Sequence, residues 1–180
     1  MKFFVLFLAA CLPDDVDGEG SYSSDADTDT DTDTDTDTDT DTDTDTDTDT
    51  EAGLVGAWLS TGGDLSELLA PYYTRITADF AADQNYVVVA TDTSGGTTEF
   101  VGTYTTDVGT DPGTIELVQT SPSNATSQGI FAVEGDVLTY EVVIVTPSYG
   151  YTPPTPAAGF GSSSGPQLEA GVNVQTYRRQ

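Results

Sequence analysis

Val137-Leu138-Thr139-Tyr140-Glu141-Val142-Val143-Ile144-Val145-Thr146 sets Leu138, Tyr140, Val142 and Ile144 on one parity and Thr139, Glu141, Val143 and Val145 on the other. In extended chain, alternate residues face opposite ways, so this stretch reads as a strand with one apolar face. The same alternation recurs outward from it. Ile76, Ala78 and Phe80 interleave with Arg75, Thr77 and Asp79, and Phe100, Gly102 and Tyr104 interleave with Glu99, Val101 and Thr103. Runs rich in Val, Thr and Tyr, separated by Gly, Asp, Asn and Ser, predict eight strands over 54–60, 73–80, 85–91, 98–105, 114–120, 129–134, 137–146 and 172–179. One short helix is expected over 64–69, with Asp64 as its N-cap, Glu67 three residues on and Pro71 as its stop.

A sheet of this size with no helices to cover its apolar face must close into a barrel or fold over as a sandwich. A transmembrane barrel is disfavoured, because the second face carries Arg75, Asp79, Glu99 and Glu141 where lipid would require an apolar band. The expected fold is all-β, an eight-stranded antiparallel up-and-down barrel. The longer connections, 61–72, 92–97, 121–128 and 147–171, then gather at one mouth, and 81–84, 106–113 and 135–136 at the other end. The 147–171 connection is rich in Pro and Gly and carries Tyr149, Tyr151 and Phe160. These aromatics read either as a lid or contact surface, or as pins that hold the loop to the barrel.

Upstream of the strands the chain changes character. Twelve Asp-Thr dipeptides run from Asp27 to Thr50 with no apolar residue among them. A segment with a negative charge at every second residue has nothing to bury against the entropy of ordering, so 11–53 reads as a disordered acidic tether. From Leu12 to Gly53 it reaches at most about 140 Å at ~3.3 Å per residue. Alternating aspartates also suggest a calcium loop, but no Gly stands at the turn position, which favours a plain spacer.

Charge and composition narrow the functional classes. The 180 residues carry a net charge of -27, and 17 of the 31 acidic residues lie between Asp14 and Asp49. The remaining 14 face only Arg75, Arg178 and Arg179, so the folded part is itself strongly acidic and repels nucleic acid and anionic headgroups. There is no His, and the one Lys is Lys2. Without a base to activate the many hydroxyls, no catalytic residue is assigned and no enzyme is expected. A glycosidase-like carboxylate pair is conceivable, but no acid sits in an apolar context that would raise its pKa. No metal and no cofactor are expected. Tyr104, Tyr140 and Phe100 share the inward parity and are the candidate ligand-lining residues of the barrel, with Tyr149, Tyr151 and Phe160 at its mouth.

The N-terminus reads as a secretion signal over 1–10, in which Lys2 precedes an apolar run from Phe3 to Leu8 that ends on Ala9-Ala10. Leu8-Ala9-Ala10-Cys11 resembles the lipobox of bacterial lipoproteins. That resemblance implies acylation of Cys11, a membrane partner reached through that lipid, and location in the bacterial cell envelope; Leu12 after the cysteine resembles the outer-membrane form. The alternative is an ordinary signal peptide with an incidental cysteine.

Gly56-Ala57-Trp58 resembles the Gly-x-Trp that opens lipocalins and the lipocalin-like domains of bacterial lipoproteins. Gly102-Thr103-Tyr104, Gly129-Ile130-Phe131 and Glu134-Gly135-Asp136-Val137-Leu138 extend the resemblance over 54–179. It implies that Trp58 packs across the closed end of a barrel with an arginine from the last strand over its ring, a contact worth roughly 0.5 to 2 kcal/mol. Arg178 or Arg179 stands where that partner belongs; Arg178 shares its parity with Val172 and Val174 and is the favoured one, while a bulge near the strand end would exchange the two. The function implied is binding of a small apolar or amphipathic ligand. The alternative is a structural or surface-coating lipoprotein whose barrel is filled.

Overall fold

The computed structural model describes residues 53–180. The expected signal, Cys11 and the acidic tether lie outside the described residues. The strands are β1 (Gly56–Thr61), β2 (Tyr73–Phe80), β3 (Asn85–Asp92), β4 (Thr97–Asp107), β5 (Gly113–Ser121), β6 (Ala125–Glu134), β7 (Val137–Thr146) and β8 (Gln175–Arg179). Each pairs antiparallel with the next, and β8 returns to β1 through Trp58 opposite Arg179 and Leu59 opposite Arg178, so the sheet is a closed up-and-down barrel. Closure leaves no strand edge unpaired, and the apolar residues of β2, β4 and β7 that alternate with polar ones, such as Ile76, Phe100 and Leu138, face the interior.

Irregularities bend the wall and redirect side chains. The register of β2 against β3 shifts between Tyr73 and Arg75, so Tyr73 points inward even though Ile76, Ala78 and Phe80 set the opposite parity. A second shift falls between Val101 and Gly102. Here β4 and β5 press so closely that a Cβ on Gly102 would run into the Val118 carbonyl and the edge of the Tyr86 ring. Only glycine fits.

Several predicted boundaries move, two of them by three residues or more. Residues 125–128, expected as loop, belong to β6, because Ser127 faces the interior and Gln128 donates to Glu116 Oε2 at 2.7 Å. Residues 172–174, expected as strand, belong to the preceding loop. The expected helix over 64–69 is replaced by a short 3₁₀ turn, Gly62–Asp64, followed by tight turns, with Leu65 in extended geometry. Six residues ahead of a proline are too few to propagate a helix, and tertiary partners claim their N–H groups. Ser66 N–H donates to Gln175 Oε1 at 2.9 Å and Leu68 N–H to the Val172 carbonyl at 3.0 Å.

The closed end, formed by turns 81–84, 108–112 and 135–136, is plugged by Trp58 and Leu54, both fully buried, with the indole N–H donating to the Leu54 carbonyl at 2.8 Å. The arginine over the indole is Arg179, 4.3 Å from the ring centroid, and not Arg178. The parity argument failed because Val172 and Val174 are not in the strand. Within β8 itself Gln175 and Tyr177 are the buried residues, and Arg179 continues their side. Arg178 faces outward and pairs with Asp64 at 3.3 Å. Arg179 also donates to the Gly53 and Val55 carbonyls at 2.6 and 3.0 Å, fastening the segment that leads into β1. Gly56, at φ +136°, is needed there because a Cβ would stand 2.7 Å from an Arg179 guanidinium nitrogen.

On the outside, Glu141 departs from the solvated polar face expected of its parity. It is fully buried, as is its register partner Ile130, and Val143 beside them is nearly so. The loop 147–174 covers them as a strap. Its Gly161 and Ser163 N–H groups donate to the Glu141 carboxylate at 2.5 and 2.9 Å, and a bridge between Thr152 and Ser164 holds its two limbs together.

Candidate functional site

The barrel interior holds a cavity of about 60 Å³ whose lining runs from Leu69 and Tyr73 at the open end to Phe80 and Tyr86 at the far ends of β2 and β3. Leu69 from the 62–72 loop and Tyr73 stand at its mouth, and Ile76, Ala78, Val88, Ala90, Phe100, Leu117 and Val142 form its apolar walls. Deeper in, aromatic rings fill the barrel. Phe80 meets Tyr104 edge-on at 5.2 Å, and Tyr140 meets Tyr177 edge-on at 6.1 Å. At roughly 10–15 Å³ for each water-sized group, the cavity accommodates about five such groups. That is well below the several hundred Å³ of a site for drug-sized ligands.

No charged side chain lines this space. Its amide nitrogens are already engaged. Gln175 accepts from Ser66 N–H through Oε1 and donates to Ser60 Oγ at 2.7 Å, Asn173 Nδ2 donates to the Val142 carbonyl at 2.7 Å, and Gln119 Nε2 donates to the Ser123 carbonyl at 2.8 Å. The phenols are different. Tyr86, Tyr140 and Tyr177 all line the cavity, and among the described residues their hydroxyls make no hydrogen bond. Tyr140 retains accessible area although barrel wall surrounds it, so that area belongs to the cavity. Burial pushes the Tyr86 hydroxyl up to about 12. It raises Tyr140 and Tyr177 too, and the neighbouring Tyr177 and Tyr86 raise Tyr140 further, so all three are neutral donors near neutral pH. At the mouth Tyr73 is raised by burial first and by the Asp92 carboxylate second.

The structure divides the sequence-predicted residues into three groups. Phe100 and Tyr140 line the cavity. Tyr104 points inward but lies outside the cavity lining, packed on Phe80, with its hydroxyl donating to the Ala81 carbonyl at 2.8 Å. Tyr149, Tyr151 and Phe160 belong to the strap and touch no part of the cavity: Tyr149 is exposed, Tyr151 lies against Gly165, and Phe160 is half-buried. Of their two expected roles, a lid over this cavity is therefore not what the fold shows. Gly56 and Trp58 are at the closed end, away from any ligand space. Tyr86 and Tyr177 were missed. In β3 both parities are apolar, so no alternation marks Tyr86 as inward, and the misread start of β8 put Tyr177 on the outside.

Among the described residues no group of three or more His, Cys, Asp or Glu side chains is arranged to hold a metal ion. No protein-family model matches the chain, and no curated protein or solved structure matches it either.

Proposed function

We propose that the chain is a lipid-anchored envelope protein, attached through Cys11, whose lipocalin-like barrel is a binding module and not an enzyme. Its ligand is a small, largely apolar molecule held inside the barrel. The observation that carries the reading is the interior cavity itself. A close-packed protein core leaves few voids larger than a water, and this one opens toward the mouth of the barrel and is lined by phenols with no protein partner. The Gly56-Ala57-Trp58 motif with an arginine over the indole at the closed end supports the lipocalin-like assignment.

The aromatic packing beneath the cavity favours a second reading, a structural lipoprotein whose barrel is essentially filled. Mass spectrometry of the full-length protein, extracted from the envelope in detergent, separates the two. Under denaturing conditions the wild type should carry the mass of acyl chains that Cys11→Ser lacks. Under native conditions it should show an additional small-molecule adduct. An acylated protein with no adduct favours the structural reading, and an unmodified Cys11 removes the anchor.

A further inference from the structure

A cavity that holds three uncommitted phenols is not neutral toward the chemistry of what enters it. A hydroxyl that faces a cavity and donates to no protein group is open to an acceptor on whatever enters. Tyr86, Tyr140 and Tyr177 come from β3, β7 and β8, so the barrel brings together hydroxyls widely separated in sequence. They lie within electrostatic reach of one another, yet none donates to another or to a carbonyl. The amide nitrogens of Gln119, Asn173 and Gln175 are engaged elsewhere, so the three phenols, with the Ser127 hydroxyl beside them, are the donors the lining offers a ligand.

We propose that Tyr86, Tyr140 and Tyr177 form a polar subsite that selects a compact neutral ligand bearing an acceptor oxygen, such as a ketone, ether or ester, with the rest of the ligand against the apolar wall. The subsite rests on the reading of the barrel as a binding module. Size follows from the cavity, which admits an apolar body of about five non-hydrogen atoms with its oxygen. Charge follows from the lining. With no Lys or Arg in the cavity, a carboxylate entering it would lose its hydration and gain no cation, so anionic ligands are excluded in favour of neutral ones.

Three probes of nearly equal size test this on the full chain by titration followed in NMR spectra: cyclopentanone, cyclopentane and cyclopropanecarboxylate. Cyclopentanone should saturate and shift the Tyr86, Tyr140 and Tyr177 ring signals, and the carboxylate should bind at least tenfold more weakly at neutral pH. Tyr140→Phe and, separately, Tyr86→Phe should weaken cyclopentanone binding about five- to tenfold while leaving cyclopentane within about twofold, because each removes one hydrogen bond and almost no volume. If cyclopentane binds and the Phe variants affect both probes equally, the subsite is wrong and the binding cavity stands. A carboxylate bound as tightly as the ketone also overturns the subsite. If no probe binds, the subsite and the binding module on which it rests fail together.

Discussion

Arg179 makes three kinds of contact at the closed end. Its guanidinium lies over the Trp58 ring, donates to two carbonyls before β1, and stands 3.6 Å from Asp136. The Asp136 pair adds little, because the aspartate is largely exposed. The cation–π contact contributes roughly 0.5 to 2 kcal/mol, and each hydrogen bond to a carbonyl about 1 kcal/mol. Arg179→Ala should therefore destabilise the barrel by about 2 to 4 kcal/mol in urea unfolding. Arg178→Ala, which loses only an exposed pair with Asp64, should cost under about 1 kcal/mol. Equal effects of the two substitutions would contradict the observed geometry. The identity of this arginine turned on where β8 starts, and sequence could not show that. Val172 and Val174 look like strand residues, yet the Val172 carbonyl accepts from Leu68 in the opposite loop.

At the scale of elements, legibility followed the contrast between the two faces. β2, β4 and β7 alternate apolar with polar, and their inward residues were readable from sequence, apart from Tyr73, which a register shift turns inward. β3 is apolar on both parities, which hid Tyr86. The outer face of β6 and β7 was misjudged because polarity alone does not tell a solvated carboxylate from a capped one. Glu141 is held by backbone N–H groups of a strap that contains no Lys or Arg, so sequence offered no oppositely charged partner to suggest burial. Charge-assisted bonds of this kind are the stronger class. Glu141→Gln keeps an acceptor for one of the two N–H groups and opposes the other with an amide donor. Hydrogen exchange at Gly161 and Ser163 should then accelerate at least tenfold, while core amides of β4 and β5 keep their protection, because the strap opens as a local unit. Unchanged exchange at those two amides would mean that the carboxylate does not hold the strap.

At the scale of the molecule, closure of the sheet ties stability to the protonation of its enclosed tyrosines. Tyr86, Tyr140 and Tyr177 are raised above the ordinary phenol value near 10, chiefly by burial. Below about pH 10 each is neutral in both the folded and unfolded chain, and its contribution to stability is intact. Above it, the unfolded chain loses these protons while the barrel retains them. Unfolding then releases protons, and stability falls as pH rises toward the folded values. Tyr86 is 4% exposed, but it faces a cavity with room for water, so the full shift from 10 to about 12 is reduced to a loss of about 2 kcal/mol. Tyr140 and Tyr177 add losses of the same sign. The barrel should therefore be destabilised as pH rises above about 10, and at its alkaline unfolding midpoint tyrosinate absorbance from the buried group should rise in step with loss of the β-sheet circular dichroism signal. Replacing Tyr140 and Tyr177 by Phe removes two of the coupled protons and should move this alkaline midpoint upward. Complete tyrosine ionisation near pH 10 with the sheet signal intact would show that the phenols are open to solvent and that the barrel does not enclose them.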